Sequence, residues 1–244
     1  MSDQVGEVKI FPDAAALARG AADQFVSLVK AQTGDRFSVA LSGGSTPKAM
    51  FALLATDEFA KQIDWKKVHL FWGDERCVPP DNADSNYRMT KETLLDHVSI
   101  PPENIHRMKG EIEPMVAAAQ YESELDTFFK SETPRFDLIH LGMGDDGHTA
   151  SLFPGTPPIF EQNQWVVGHM VEKVKMWRIT LTPVVLNVAA NISFLIGGKA
   201  KAETLSKVLK GPYQPDVLPS QIIKPTNGKL LWMVDADAAS MLQS

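Results

Sequence analysis

The sequence predicts an α/β fold in which helices cover a largely parallel sheet. Strand-length apolar runs alternate with helical patterns almost throughout the 244 residues, which is the pattern of that class. Hydrophobic residues at 44% and charged residues at 22% supply enough apolar mass for a core. No internal repeat, low-complexity tract or linker interrupts the pattern, so residues 1–244 are expected to form one α/β domain.

The elements follow in order. Residues 8–11 read as a short strand and 13–30 as a helix, with Leu17, Phe25 and Leu28 available for its buried side. Residues 37–41 form a compact buried strand that runs into glycines, and 67–72 form the next strand. Residues 114–130 read as a helix whose first turn suits Pro114 and whose Tyr121, Leu125 and Phe128 share one face. Strands are expected at 136–141, 176–182 and 192–196, the last feeding a helix at 200–210. Prolines and glycines mark 211–219 as a loop, and 230–235 is the final strand.

Composition narrows the partners. A formal net charge of −6 argues against non-specific binding to nucleic acid. It leaves an anionic small molecule open, because a pocket responds to a few local cations. The single cysteine, Cys77, cannot form an intramolecular disulfide. Residues 1–9 lack the basic and apolar regions of an export signal, and no apolar run approaches the roughly 20 residues that span a bilayer. The expectation is a cytoplasmic protein with no membrane partner, as a monomer or weak homo-oligomer.

In open α/β sheets, ligands sit at the carboxyl ends of the strands, so polar residues in the following loops are the candidates. In Ser42-Gly43-Gly44-Ser45-Thr46-Pro47, glycines permit close backbone approach and a helix N-terminus offers unpaired N–H groups. The loop suits a phosphate, or is simply a capped strand-to-helix turn. It lacks the Gly-Lys-Ser/Thr ending of a nucleotide-binding P-loop. The run Gly73-Asp74-Glu75-Arg76-Cys77 places two carboxylates beside a guanidinium. By itself it reads as a solvated ion-pair cluster, and Cys77 as packing.

A third loop contains Gly142, Gly144 and Gly147 in G-x-G-x-x-G spacing, but Asp145 and Asp146 inside it would repel a pyrophosphate. His148, two residues after Asp146, reads better as an acid/base residue, against the alternative of a surface or capping histidine. Neither His-Glu-x-x-His nor paired cysteines are present, so no metal site is expected. His69 and His140, in expected strands, read as packed or exposed bystanders. In Trp177-Arg178-Ile179-Thr180-Leu181-Thr182, strand alternation sets Arg178, Thr180 and Thr182 on one side. Gly197-Gly198-Lys199-Ala200-Lys201-Ala202 brings lysines to a helix start, where cations are disfavoured unless an anion binds. Arg178 and a lysine there could form the two halves of an anion clamp.

These four loops together, with Ser85-Asn86 and Lys201-Ala202, closely resemble the 6-phosphogluconolactonase family, which is related to glucosamine-6-phosphate deaminases. The resemblance spans about residues 38–235. It implies a Rossmann-like, mostly parallel sheet flanked by helices on both faces, and hydrolysis of a phosphorylated sugar lactone without metal or nucleotide cofactor. Carried over by motif, Gly43, Gly44, Ser45, Thr46, Arg178 and Lys201 would bind the phosphate. His148 would act as general base, Asp74 and Arg76 would contact or polarise the sugar and lactone, and Asp146 would lie beside substrate and histidine. The deaminases typically carry a glutamate where this chain has Phe153, before Pro154. Phenylalanine neither exchanges protons nor, on this reading, supports the histidine electrostatically, which favours the lactonase.

Overall fold

The apolar runs become strands and the periodic segments between them become helices. The computed structural model describes residues 6–130 and 133–242; residues 1–5, part of the stretch expected to lack an export signal, lie outside them. In chain order the elements are β1 (Glu7–Phe11), α1 (Ala14–Ala31), β2 (Phe37–Leu41), α2 (Ser45–Leu54), α3 (Asp57–Ala60), β3 (Val68–Trp72), β4 (Asp74–Arg76) and α4 (Asn86–Thr93). There follow α5 (Pro114–Phe129), β5 (Leu138–Leu141), β6 (Val166–Val171), β7 (Met176–Leu181), α6 (Pro183–Leu186), β8 (Asn191–Ile196), α7 (Ala202–Lys210) and β9 (Lys229–Asp235).

Six strands form one sheet in the order β1-β9-β8-β5-β2-β3, every neighbouring pair parallel. Alternation along each strand divides the core in two. Phe37, Val39 and Leu41 of β2 face a cluster built with α1, α2 and Phe59 of α3. Ala40, with Ile139, Phe194 and Trp232 from neighbouring strands, faces a second cluster with α5, α6 and α7. Strands buried on both faces need near-continuous apolar runs, which is what made them visible in the sequence. The Phe194 and Trp232 rings stack with centroids 3.9 Å apart. Helices thus cover both faces.

Local chemistry fixes the helix ends. Asp13 caps α1 by accepting from the Ala16 N–H at 2.8 Å, and the buried stripe Leu17, Ala21, Phe25 has helical spacing. Pro114 opens α5, Glu113 caps it at Val116, and Tyr121 and Leu125 are buried. Tyr121 joins α5 to the end of β3. Its hydroxyl accepts from Trp72 N and donates to Trp72 O, at 2.9 and 3.1 Å.

Two sequence expectations change. The strand expected at 176–182 does not join the parallel sheet; as β7 it is the centre of a second, antiparallel sheet of order β4-β7-β6. The helix expected from residue 200 begins as a 3-10 turn over Lys199–Lys201 before α7. No helix among the described residues is long and apolar enough to cross a membrane.

His140 lies in β5 with its ring wholly buried against Phe25, and neither ring nitrogen has a hydrogen-bond partner. Burial pushes its pKa from 6.5 down to about 4. At half-buried His69, burial and then the neighbouring His106 have a similar effect, to about 4. Because the unfolded chain takes up these protons near pH 6.5 and the folded chain only near 4, stability falls as pH drops through that window and levels off below it. For His140 alone the loss approaches about 3 kcal/mol. His140→Leu should therefore flatten the urea-denaturation stability profile between pH 6.5 and 4; an unchanged slope would assign the acid sensitivity elsewhere.

Candidate active site

The parallel sheet reverses its strand order beside β2: β3 lies on one side and β5, β8 and β9 on the other. Loops leaving β2 and β5 diverge at such a point and open a crevice beyond the carboxyl ends of the strands. A cavity of about 220 Å³ occupies it, walled by residues that include Ser42, Gly43, Gly44, Asp74, Arg76, Asn86, His148, Phe153, Arg178 and Lys201. Three cationic side chains and a single carboxylate face it, in a chain whose net charge is −6. A larger hollow of about 490 Å³ between α5 and β6 is lined by Glu122 and Asp126 and by no cation, and so suits an anion poorly.

Gly43 lies under Asn86: a Cβ at 43 would come within 2.0 Å of Asn86 Oδ1. Gly44 follows with φ +111°, and α2 starts there without a side-chain cap. The backbone N–H groups of its first turn are left available, the feature by which helix starts bind anions.

Asp74 and Glu75 are buried and Arg76 is half-buried, so the run is not a solvated ion-pair cluster, which corrects its reading from sequence alone. Glu75, 3% exposed, accepts from the N–H groups of Arg76, Asn86 and Tyr87 at 2.7–2.8 Å and from Ser85 Oγ at 3.1 Å. It anchors the start of α4, where a carboxylate meets the positive end of the helix dipole. Burial pushes its pKa up, against the three backbone donors that favour the charge. Asp74 faces the cavity, accepting from Ser151 Oγ at 2.6 Å and Asn86 Nδ2 at 3.3 Å. Cys77 is half-buried, and burial lifts its thiol to about 11 despite Arg178, leaving it unreactive at neutral pH.

His148 leaves β5 through turns; residues 142–156 contain no helix, so the three glycines there present no helix start to a pyrophosphate. Its Nδ1 lies 2.6 Å from Asp146 Oδ1. A carboxylate only accepts, so Nδ1 carries the proton and Nε2 is left with a lone pair. Lys173 also pairs with Asp146. Burial opposes the Asp146 charge, but hydrogen bonds from His148 and Lys173 outweigh it and hold the carboxyl well below the usual carboxylate range. Gly144 makes room: a Cβ there would lie 2.0 Å from His148 Nδ1. On the imidazole face, Phe153 stacks at 4.0 Å between centroids and 17° between planes. Phe153 thus packs flat against the ring and brings no group that exchanges protons.

Arg76 and Arg178 stand opposite each other on β4 and β7. Arg76 donates from Nη1 to Asp84 O at 2.6 Å, while its Nε is buried without a partner. Arg178 donates from Nη1 to the Met176 thioether at 3.1 Å. Burial, and then the Arg76 guanidinium, lower its pKa. Lys201 pairs with Asp145, whose side chain is 72% exposed, a weak tie that a phosphate can displace.

The structure brings His148, Asp74, Arg76, Gly43, Gly44, Arg178 and Lys201 to one cavity. Ser45 and Thr46 begin α2 and are not part of its wall. Asp146 stands behind His148 rather than in the wall, so its contact is with the imidazole. The sequence reading gave no role to Asn86, Ser151, Thr180 or Lys173. Asn86 had a signal in the Ser85-Asn86 pair, Thr180 in sharing a strand face with Arg178, and Ser151 in following His148 in its loop; Lys173 had none. Among the described residues, no group of three or more His, Cys, Asp or Glu is placed to hold a metal ion.

Residues 12–232 match the family described as glucosamine-6-phosphate isomerases/6-phosphogluconolactonase. The chain is similar to a 6-phosphogluconolactonase of a Nostoc species, 41% identical with 96% of this chain and 98% of the relative covered. Another, from Haemophilus influenzae, is 39% identical over 95% and 98% of the two chains. Among solved structures, 6-phosphogluconolactonase from Trypanosoma cruzi superposes with a TM-score of 0.87 at 28% identity, covering 100% of this chain and 99% of the other. The chain belongs to the family of glucosamine-6-phosphate isomerases and 6-phosphogluconolactonases.

Proposed function

We propose that the protein hydrolyses 6-phospho-D-glucono-1,5-lactone to 6-phosphogluconate, with His148 as the base that activates water. One observation carries the reading: an imidazole oriented through Nδ1 by Asp146 borders a cavity faced by three cations. The names of the relatives supply the substrate.

The substrate phosphate is held by Arg178 and Lys201 and by backbone N–H groups at the start of α2, with Lys201 exchanging Asp145 for the ligand. The lactone carbonyl then lies beside His148. Nε2 takes a proton from water as the water oxygen attacks the carbonyl carbon. Charge gathers on the carbonyl oxygen, where Arg76, whose Nε is a buried donor with no protein acceptor, stabilises it; one such contact contributes about 3–4 kcal/mol. The tetrahedral intermediate collapses, the bond from carbon to ring oxygen breaks, and imidazolium Nε2 returns its proton to that oxygen. Asp74, fixed by Ser151 and Asn86, accepts from a sugar hydroxyl. Asp146 keeps Nδ1 protonated and offsets the charge formed on the ring.

Three substitutions test these roles against the spontaneous hydrolysis rate. His148→Ala should lower kcat by about 10²–10⁴ with little change in KM; equal rates for mutant and wild type would end the assignment. Asp146→Asn should lower kcat by about a hundredfold, because the amide can also donate to Nδ1 and so favour the wrong tautomer; full activity would remove Asp146 from the mechanism. Arg178→Ala should chiefly raise KM, by about 10- to 100-fold, the worth of a charge-assisted hydrogen bond shared by ground and transition states. An unchanged KM would take Arg178 out of phosphate binding.

A further inference from the structure

The loop that carries His148 is fastened to the second sheet at Ser151. The residue just before it, Ala150, has φ +48°, a left-handed conformation that a side chain with Cβ resists, so the turn is held by its contacts rather than by local preference. Ser151 is buried and all its polar groups are engaged. Its N–H donates to Thr180 Oγ1 at 3.2 Å, and its hydroxyl donates to Asp74 Oδ2 at 2.6 Å. Its carbonyl accepts from His169 Nε2 at 2.8 Å.

His169 lies on β6 directly opposite Arg178 on β7, and Thr180 lies opposite Asp74. A carbonyl only accepts, so His169 Nε2 carries the proton and Nδ1 is the bare nitrogen. That Nδ1 is buried without a partner. The ring is thus tied to the protein through Nε2 alone. Burial first, and Arg178 beside it, favour the neutral ring, against the Ser151 carbonyl and Asp74.

We propose that His169 is a positioning residue: by donating Nε2–H to the Ser151 carbonyl, it holds the His148 turn and, through the Ser151 hydroxyl, the Asp74 carboxylate in register with Arg178. The proposal rests on the reading of His148 as the base. His169 touches no substrate; it fixes the distance between a group that acts on water and a group that holds the sugar.

The test compares His169→Leu, which lacks the donor, with His169→Gln, whose amide can place an N–H near the same point, in steady-state hydrolysis of 6-phosphogluconolactone corrected for the spontaneous rate. In the leucine variant, kcat should fall about tenfold or more, the scale of a small misplacement of reacting groups, with KM changed less than about threefold. Glutamine should restore kcat to within about threefold of wild type. A folded leucine variant with wild-type kcat overturns the proposal. So does a glutamine variant as impaired as leucine, or a loss confined to KM, which would place His169 in phosphate binding with Arg178. Should the leucine variant not fold, nitrogen-15 NMR of the wild-type imidazole decides: a protonated Nε2 and bare Nδ1 are expected, and the opposite tautomer overturns the bond. Wild-type protein without activity above background would instead sink the functional reading.

Discussion

Arg76 and Arg178 face each other across adjacent antiparallel strands, and the arrangement of the site follows from that repulsion. Like charges directly opposite on a sheet are destabilising, and here burial adds the cost of desolvation. The protein offsets this with nearby carboxylates: Asp74 precedes the pair on β4, and Glu75 sits beneath it at the start of α4. Neither carboxylate neutralises a guanidinium by a direct ion pair; Asp74 is turned to Ser151 and Asn86, and Glu75 to backbone donors. The positive field is thereby left for an anion. Protein-wide charge gives no hint of this, because a net charge of −6 is spread over a surface that the cavity does not sample.

The two sheets divide the labour. The parallel sheet supplies the loops after β2 and β5, which bring glycines, unpaired N–H groups and His148. The small antiparallel sheet supplies Asp74, Arg76 and Arg178. His148 and the two guanidinium groups therefore reside on separate frameworks. Their meeting depends on a few contacts, chief among them those of Ser151 with Asp74, Thr180 and His169. Gly144 and Gly43 work at the same junction by omission, since side chains there would collide with His148 and Asn86.

How much of this could be read from sequence varied with burial. The parallel strands other than β1 are largely enclosed on both faces, so their composition alone marks them, and β2 was bounded to the residue. The small sheet was largely hidden. Strand β4 is three charged residues, and β6 contains Gly168 and His169, so neither shows alternation or an apolar run. Only their central partner β7 was legible, and its sheet could not be inferred without them. The cavity residues were found because several loops together matched a family pattern. The supports behind them were not: Asp146 is tied to Lys173, and Ser151 to Asp74, by pairings 27 and 77 positions apart along the chain.

The outermost strand carries a different consequence. β1 pairs with β9 and with no other strand, Glu7 to Phe11 lying beside Leu231 to Asp235. During synthesis β1 thus has no partner in this sheet until β9 has followed. Val8 and Ile10, at 38% and 44% exposed even in the finished fold, would be bare until then. The central strands can associate earlier, and this rim of the sheet closes only once β9 is made, an order that favours late completion over early commitment.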